Sequence, residues 1–326
     1  MRILKGMQKV PGGMMVIPLV LGAAINTIEQ SVDFNILNIG GFTQALFRQG
    51  ALPLIALFVL CHGAQINVRQ AGLPVAKGAV FTIVKVAVGG FIGLAVGWIF
   101  GPEGFWGLAP LAVVAAMVNC NGGLYVTLAS QYGDSTDVGA ISILSITDGP
   151  FFTMVVLGAA GFADIPFIAF VAVLVPIVIG FILGNLDEDW RNFLKQGTHL
   201  LIPFFAFPLG AGLTFRNIID AGPPGILLGL ATVLVIGTVG LLSTRIFGKL
   251  RAAGVAIGTT AGNAALVPLA LANIDPSLVP FEPEATVMVA TSVLVTAILC
   301  PFYVAWWDKR LGGKADREKA AAEAGK

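Results

Sequence analysis

Long apolar runs separated by short polar stretches dominate the chain. A helix crosses a bilayer in about 20 residues, with some tilt, and ten runs approach or exceed that length. They lie near residues 12–29, 51–67, 72–100, 105–131, 138–161, 165–186, 199–215, 222–247, 250–273 and 284–307. The connector 30–50 is mixed in polarity, which is more typical of a surface segment than of a span. The pattern predicts an all-α polytopic membrane protein with ten transmembrane helices.

Composition and charge agree with that fold. Of the 326 residues, 56% are hydrophobic and 11% charged, whereas soluble domains carry about 25% charged residues. With the N-terminus inside, fifteen of the 19 Lys and Arg residues fall on the cytoplasmic side, two fall outside, and Lys77 and Lys85 lie within the third span. This asymmetry predicts cytoplasmic N- and C-termini. The net charge of +1 gives no reason to expect a nucleic-acid partner.

The two halves of the chain resemble each other. Ile17–Gly22 of the first span matches Val175–Gly180 of the sixth, and Asn121–Leu124 of the fourth matches Asn263–Leu266 of the ninth. Each unit has an odd number of spans, so the second copy must enter the membrane from the opposite side. We therefore predict inverted five-helix repeats at 1–161 and 162–308, followed by a charged cytoplasmic tail at 309–326. Inverted repeats are typical of carriers that bind substrate near the midplane.

Two spans carry polar and helix-breaking residues. Gly122 and Gly123 weaken a helix by roughly 1 kcal/mol each relative to alanine, and Asn119 brings an amide that lipid cannot solvate. The second stretch, 258–273, contains Thr259, Thr260, Asn263 and Pro268 in equally apolar surroundings. Irregular backbone at membrane depth persists only inside protein or beside a wet cavity. We expect discontinuous helices 4 and 9 that cross at a binding site.

The N-termini of broken helices carry free N–H groups and partial positive charge, which suits a carboxylate. Interhelical hydrogen bonding is the alternative role for the polar side chains there. The candidate substrate-binding residues are Asn119, Asn121, Gly122, Gly123, Tyr125, Thr127, Thr259, Thr260, Asn263 and Gln65.

Asp148 is the one carboxylate that the pattern places deep in a span. An ionised aspartate at mid-bilayer costs at least ~2.5 kcal/mol, so we interpret it as a proton-coupling residue. The alternative is a structural carboxylate that caps a broken helix or pairs with Lys85, the candidate charge partner. Lys77, nearer the inner end, is expected to extend its ammonium to the interface. We expect His62 and His199 to be core or interfacial residues.

Several longer motifs are similar to those of a known family. They are Lys9–Met15, Asn121–Tyr125, Gln131–Gly133, Gly184–Asp187 and Leu201–Phe207. Together they resemble the bacterial 2-keto-3-deoxygluconate permease family, within the group that includes the bile-acid sodium symporters. The resemblance implies proton-coupled uptake of that sugar acid across the inner membrane by ten helices in an inverted repeat. It also places the family's acid beside Gly-Pro at Asp148.

The leading hypothesis is an alternating-access symporter in which a panel of spans 1, 2, 6 and 7 rocks against a core of the other six. The expected partners are a sugar acid and the lipid bilayer, with a homo-oligomer allowed. No cofactor or metal is expected; H⁺ is the coupling ion, with Na⁺ as the alternative. A sodium-coupled symporter of an organic anion and a cation/proton antiporter remain open. An enzyme lacks a nucleophile–base pair in its spans, and a channel lacks an evident filter.

Overall fold

The computed structural model describes residues 2–10, 13–32, 36–66 and 72–313. Within these ranges the regular structure is helical and no β-strand occurs. The predicted tail 309–326 lies largely outside the described residues. The α-helices are α1 (Ile3–Lys9), α2 (Gly13–Ser31), α3 (Gly41–Phe47), α4 (Ala51–Gly63), α5 (Leu73–Phe100), α6 (Pro110–Val118), α7 (Gly122–Tyr132), α8 (Ser135–Gly139), α9 (Ile141–Leu144), α10 (Phe151–Ala159), α11 (Phe167–Leu186), α12 (Glu188–Lys195), α13 (Gly197–Ala211), α14 (Phe215–Ala231), α15 (Gly237–Ser243), α16 (Val267–Ala272) and α17 (Glu282–Arg310).

The helices have the length and apolarity of membrane spans. Six candidate spans are single helical segments, of which Ala252–Ala272 is unwound in its middle, and three further pairs bent by 42° to 58° raise the number to as many as nine in the described residues. The bent pairs are α3 with α4, α6 with α7, and the segment Ser135–Thr147 with α10. The predicted span 199–215 corresponds to α13, whose 15 residues fall short of the usual crossing length. The chain is a multi-pass α-helical membrane protein, but ten crossings are not reached on this count.

Local sequence explains where the spans bend. Asn119 and Cys120 lie between α6 and α7, and the side chain of Asn121 caps α7. Before α10, Gly149 adopts a φ of 119°, which only glycine accepts readily, and Pro150 follows it without an N–H to donate. In the second half, Ala252–Ile257 and Gly262–Leu266 are 3₁₀ turns rather than α-helix. The polar and glycine-containing stretches of the sequence are therefore the places where the helices break.

The contacts between helices divide most of them into two sets, which we call the panel and the core. The panel contains α2, α4, α11 and α13, in which α13 packs on α2 and α4 and α11 packs on α4, and the core contains α5–α10 and α14–α17. Glycines bring backbones very close within each set. A Cβ on Gly180 would lie 1.9 Å from the carbonyl oxygen of Leu60 in the panel, and one on Gly254 would lie 2.5 Å from that of Gly240 in the core.

Approaches between the two sets are looser. A Cβ on Gly149 of the core would lie 3.6 Å from Val59 of α4, and one on Gly262 would lie 4.0 Å from Met15 of α2, both ordinary van der Waals distances. A cavity of about 370 Å³ separates α4 and α11 from α16, and its lining is almost entirely apolar. Each set is tightly packed inside, while the boundary between them is not.

Four charged side chains hold one end of the core together. Lys77 of α5 contacts Asp137, and its Nζ lies 3.5 Å from Asp134 Oδ1. Arg251 contacts Asp134 and lies 3.1 Å from Asp137 Oδ2. The prediction that Lys77 extends to the interface was wrong, because its side chain is buried and paired with two carboxylates that neutralise it.

The same cluster shifts the titration of its more exposed acid. Partial burial raises the pKa of Asp134, but hydrogen bonds from Thr136 and Arg251 lower it more, so the pKa lies below its usual value. A depressed carboxyl pKa stabilises the fold above the ordinary pKa of aspartate, and that contribution is lost as pH falls through the lowered pKa.

Candidate functional site

The two unwound segments of the core touch each other. The N–H of Asn121, at the start of α7, donates to Thr259 Oγ1 at 3.1 Å. Thr260 Oγ1 donates to the carbonyl oxygen of Ala116 at 3.2 Å, and Thr260 N–H donates to Thr296 Oγ1 at 3.0 Å. Side-chain hydroxyls thus satisfy backbone groups that the broken helices leave unpaired. The structure brings Asn121, Thr259 and Thr260 together as one crossing.

Lys85 reaches this crossing from α5. Its ammonium donates to the carbonyl oxygens of Ile257 and Thr259 at 2.8 and 3.0 Å, and its side chain is fully buried. These carbonyls belong to the interrupted second helix, whose C-terminal end carries partial negative charge. Lys85 forms no direct ion pair with Asp148, and its role as a charge partner for that carboxylate or for an anionic substrate stays a prediction. The ammonium is held by backbone oxygens instead.

Asp148 lies at the third break, between Thr147 and α10. The N–H of the next residue, Gly149, donates to Asn119 Oδ1 at 3.0 Å, which ties this break to the one before α7. The carboxylate faces the N-terminus of α7, because a Cβ on Gly122 would lie 3.7 Å from Asp148 Oδ2. Asp148 is 8% exposed, and its Oδ1 is buried without a hydrogen-bond partner among the residues that the structure describes. An unpaired buried oxygen of this kind is costly unless something else binds there.

His62 of α4 is the direct partner of Asp148. Its Nε2 lies 3.3 Å from Asp148 Oδ2, while its Nδ1 lies 3.3 Å from the carbonyl oxygen of Phe58. The prediction of a core or interfacial histidine therefore missed a residue of the site. Two ionisable side chains at membrane depth are the signal that could have paired them, since such groups usually find one another.

The remaining amides differ in how completely they are satisfied. Asn119 is internally bonded, with its Nδ2 donating to the carbonyl oxygen of Ala115 at 2.9 Å. Asn121 Oδ1 accepts a hydrogen bond from the N–H of Leu124 at 3.0 Å and so caps the start of α7. Asn263 is 6% exposed, and its amide has no hydrogen-bond partner within the described part of the chain. Of the three, Asn263 retains the most capacity to bind a ligand.

Three predicted residues are engaged elsewhere. The hydroxyl of the buried Tyr125 donates to the carbonyl oxygen of Asp137 at 2.7 Å. Thr127 donates to the carbonyl oxygen of Gly123, one turn earlier in α7. Gln65 donates to backbone carbonyls of Cys61 and Arg191, which places its amide between α4 and α12. None of these three side chains joins the hydrogen-bonded set at the crossing.

Glycines 122 and 123 leave the start of α7 unobstructed. Neither backbone N–H has a hydrogen-bond partner in the described residues, as expected for the first positions of a helix. Gly123 is exposed and Gly122 half-buried, so an anion has room to approach these donors. The site therefore combines two free N–H groups, a carboxylate with an unpaired oxygen, and a fixed ammonium nearby.

Comparison with known proteins identifies the family of the chain. A family model described as 2-keto-3-deoxygluconate permease matches residues 4–313. A permease of that name (permease 1) from Salmonella typhimurium is 51% identical over 98% of this chain and all of its own length. The Bacillus subtilis permease is 40% identical over 97% of both chains.

Among solved structures, the sodium/proton antiporter of Methanocaldococcus jannaschii aligns over 93% of this chain and all of its own, at 17% identity and a TM-score of 0.40. The sequence similarity is much stronger than this structural one, and it confirms the family that the motifs indicated. The chain belongs to the 2-keto-3-deoxygluconate permease family of membrane transporters.

Proposed function

We propose that this protein is a proton-coupled symporter that carries 2-keto-3-deoxygluconate, or a similar sugar acid, into the cell by alternating access. The observation that carries the proposal is the position of the Asp148 carboxylate over the N-terminus of α7, with one oxygen unpaired. The carboxylate that would accept the proton therefore lies at the same helix end where the substrate anion would bind. The names of the relatives support the substrate class.

The substrate carboxylate binds to the free N–H groups of Gly122 and Gly123. These donors are at the positive end of α7, a helix of 11 residues, where an anion is stabilised by about 0.3–1 kcal/mol or more when partly buried. The unpartnered amide of Asn263 hydrogen-bonds a sugar hydroxyl or the keto oxygen. Thr259 and Thr260 keep the two broken helices in register rather than binding substrate.

Coupling follows from competition between two carboxylates. Ionised Asp148 occupies the electropositive end of α7 and repels a substrate anion that approaches the same N–H groups. A proton on Asp148 removes that repulsion and leaves Lys85 as the fixed positive charge of the site. Substrate therefore binds best together with a proton, which is the linkage that a symporter requires.

Sodium coupling is less compatible with the second broken helix. In carriers of this type, unwound backbone carbonyls coordinate the sodium ion. Here the carbonyls of Ile257 and Thr259 already accept hydrogen bonds from Lys85, whose ammonium supplies the positive charge a bound cation would bring. This arrangement favours H⁺ over Na⁺ as the coupling ion.

Transport requires the panel to move against the core. The loose boundary between the two sets supports such a movement. The full topology belongs to the same proposal: α13 serves as a short tenth crossing, the two five-helix units are inverted, and both termini face the cytoplasm of the bacterial inner membrane.

The test is uptake of labelled 2-keto-3-deoxygluconate into proteoliposomes. We expect accumulation when the exterior is acidic and none when an equal sodium gradient replaces the proton gradient. Unlabelled sugar acids should compete, whereas a neutral hexose should not. Accumulation driven by sodium at equal pH on both sides would contradict the proposal.

A further inference from the structure

The contact between His62 and Asp148 crosses the boundary between panel and core. His62 belongs to α4 of the panel, and Asp148 belongs to the core. Two other polar contacts between the sets run from a backbone N–H to a side chain: Phe215 N–H, at the start of α14, donates to Thr27 Oγ1 of α2, and Asp164 N–H, in the connector before α11, donates to Asp275 Oδ2. Among the described residues, His62 with Asp148 is the polar contact in which a side chain of the panel meets a side chain of the core. A movement of the panel must break or remake it.

The geometry of His62 fixes how many protons this pair holds. A helix carbonyl only accepts, so the 3.3 Å contact of Nδ1 with the carbonyl oxygen of Phe58 requires a proton on Nδ1. The contact of Nε2 with Asp148 Oδ2 then needs one further proton, placed on either atom. Without that proton, the Nε2 lone pair would face a carboxylate oxygen, and the contact would be repulsive.

We infer that His62 and Asp148 share the transported proton, and that this proton joins the panel to the core. The inference rests on the proposed symport and extends it to the panel side of the site. Binding the proton forms an Nε2···H···Oδ2 hydrogen bond with no net charge on the pair when His62 is otherwise neutral. Losing the proton leaves an ionised Asp148 opposite an unprotonated nitrogen, and the two side chains separate.

The surrounding charged groups do not supply an alternative partner. Lys85 on α5 and the thiol of Cys120 interact electrostatically with Asp148, but Lys85 is bound to the carbonyls of Ile257 and Thr259. On the panel, His199 of α13 is the group that interacts electrostatically with His62. His199 is exposed, and it forms no ion pair with a described carboxylate.

The chain offers a matched control, because His62 and His199 are its two histidines. Glutamine at position 62 can donate to an ionised Asp148 and accept from a protonated one, so the contact no longer depends on the proton. For one proton per substrate, a difference of one pH unit supports about tenfold accumulation. We expect His62→Gln to abolish this accumulation while substrate counterflow, measured without a pH gradient, remains. His199→Gln should behave as the wild type.

The outcomes separate the two levels of the proposal. If the wild type accumulates substrate with a proton gradient and His62→Gln does so equally, with the same pH profile, the inference is wrong and the symport proposal stands. If the wild type does not respond to a proton gradient, both fail. Counterflow by His62→Gln also shows that the variant is folded and inserted.

A spectroscopic measurement tests the pair without transport. In His199→Gln protein labelled with ¹⁵N-histidine, His62 is the one remaining histidine, so both imidazole nitrogen resonances come from it. We expect a protonated Nδ1 and a hydrogen-bonded Nε2, with the Nε2 resonance moving toward that of a free imidazole when Asp148→Asn is added. Identical Nε2 resonances with and without Asp148→Asn would overturn the inference even if the uptake result favoured it.

Discussion

Replacing Asp148 by asparagine should make substrate binding independent of pH. The carboxylate lies over the N-terminus of α7, where a Cβ on Gly122 would be 3.7 Å from its Oδ2. A substrate carboxylate bound to the same end of the helix would sit about 4 Å from that oxygen. Two unit charges at this distance repel by about 4 kcal/mol at an effective dielectric of 20, or roughly 10³-fold in affinity.

Titrating the dissociation constant against pH measures this effect. Binding of 2-keto-3-deoxygluconate to detergent-solubilised wild type should weaken by about tenfold per pH unit once Asp148 ionises, until the full repulsion of roughly 10³-fold is reached. Asp148→Asn should bind with one affinity throughout, close to that of the protonated wild type. The same variant should lose proton-driven accumulation and keep counterflow, because its site no longer exchanges a proton.

Asp164→Asn is the matched control. It makes the same chemical change at an exposed aspartate in the connector before α11, and it should leave both the pH profile and accumulation unchanged. The reasoning fails if Asp148→Asn retains the wild-type pH dependence, since another group would then control anion binding. It also fails if Asp148→Asn accumulates substrate normally in a proton gradient.

Three further results are expected. Asn263→Ala should weaken substrate binding by about 1 kcal/mol, the value of one hydrogen bond, whereas Asn273→Ala should not, because that exposed amide donates within its own helix; equal losses would remove Asn263 from the site. Replacing sodium by choline at constant pH should leave uptake unchanged, because Lys85 already occupies the carbonyls of the second break; loss of uptake in choline would reinstate sodium coupling. Lys77→Met should destabilise the solubilised protein by about 3–5 kcal/mol, because it leaves the buried Asp137 carboxylate short of a partner, and the melting temperature should fall. Adding Asp137→Leu should recover part of the lost stability. An unchanged melting temperature in Lys77→Met would show that the pair contributes nothing to stability.

The sequence contained the positions of the breaks and of the buried acid. Glycines and asparagines at membrane depth act locally, so Gly122 and Asn121 could be recognised as the start of a half-helix without knowing their neighbours. Asp148 could be recognised because a carboxylate is rare in a span. Each of these inferences rests on the local sequence and requires no knowledge of tertiary contacts.

Partners were harder to predict because they depend on tertiary packing. Lys85 interacts with Asp148, but its ammonium donates hydrogen bonds to the two backbone carbonyls of the second break. The Asp148 carboxylate contacts His62 instead. Lys77 likewise meets Asp137 of a segment far along the chain, and this contact outweighs its tendency to reach water. A hydropathy pattern gives depth in the membrane, but it does not give the neighbour across a helix interface.

The apolar boundary between panel and core has a consequence for the energy of transport. When the panel shifts, methyl groups of residues such as Val59 exchange contacts with other methyl groups, and few hydrogen bonds change. In the proposed transport cycle, the inward- and outward-facing forms would then differ by only a few kcal/mol, and the binding of one sugar acid and one proton would be enough to reverse their populations. An apolar boundary between panel and core would thus allow the binding of a small solute to drive the movement of the whole panel.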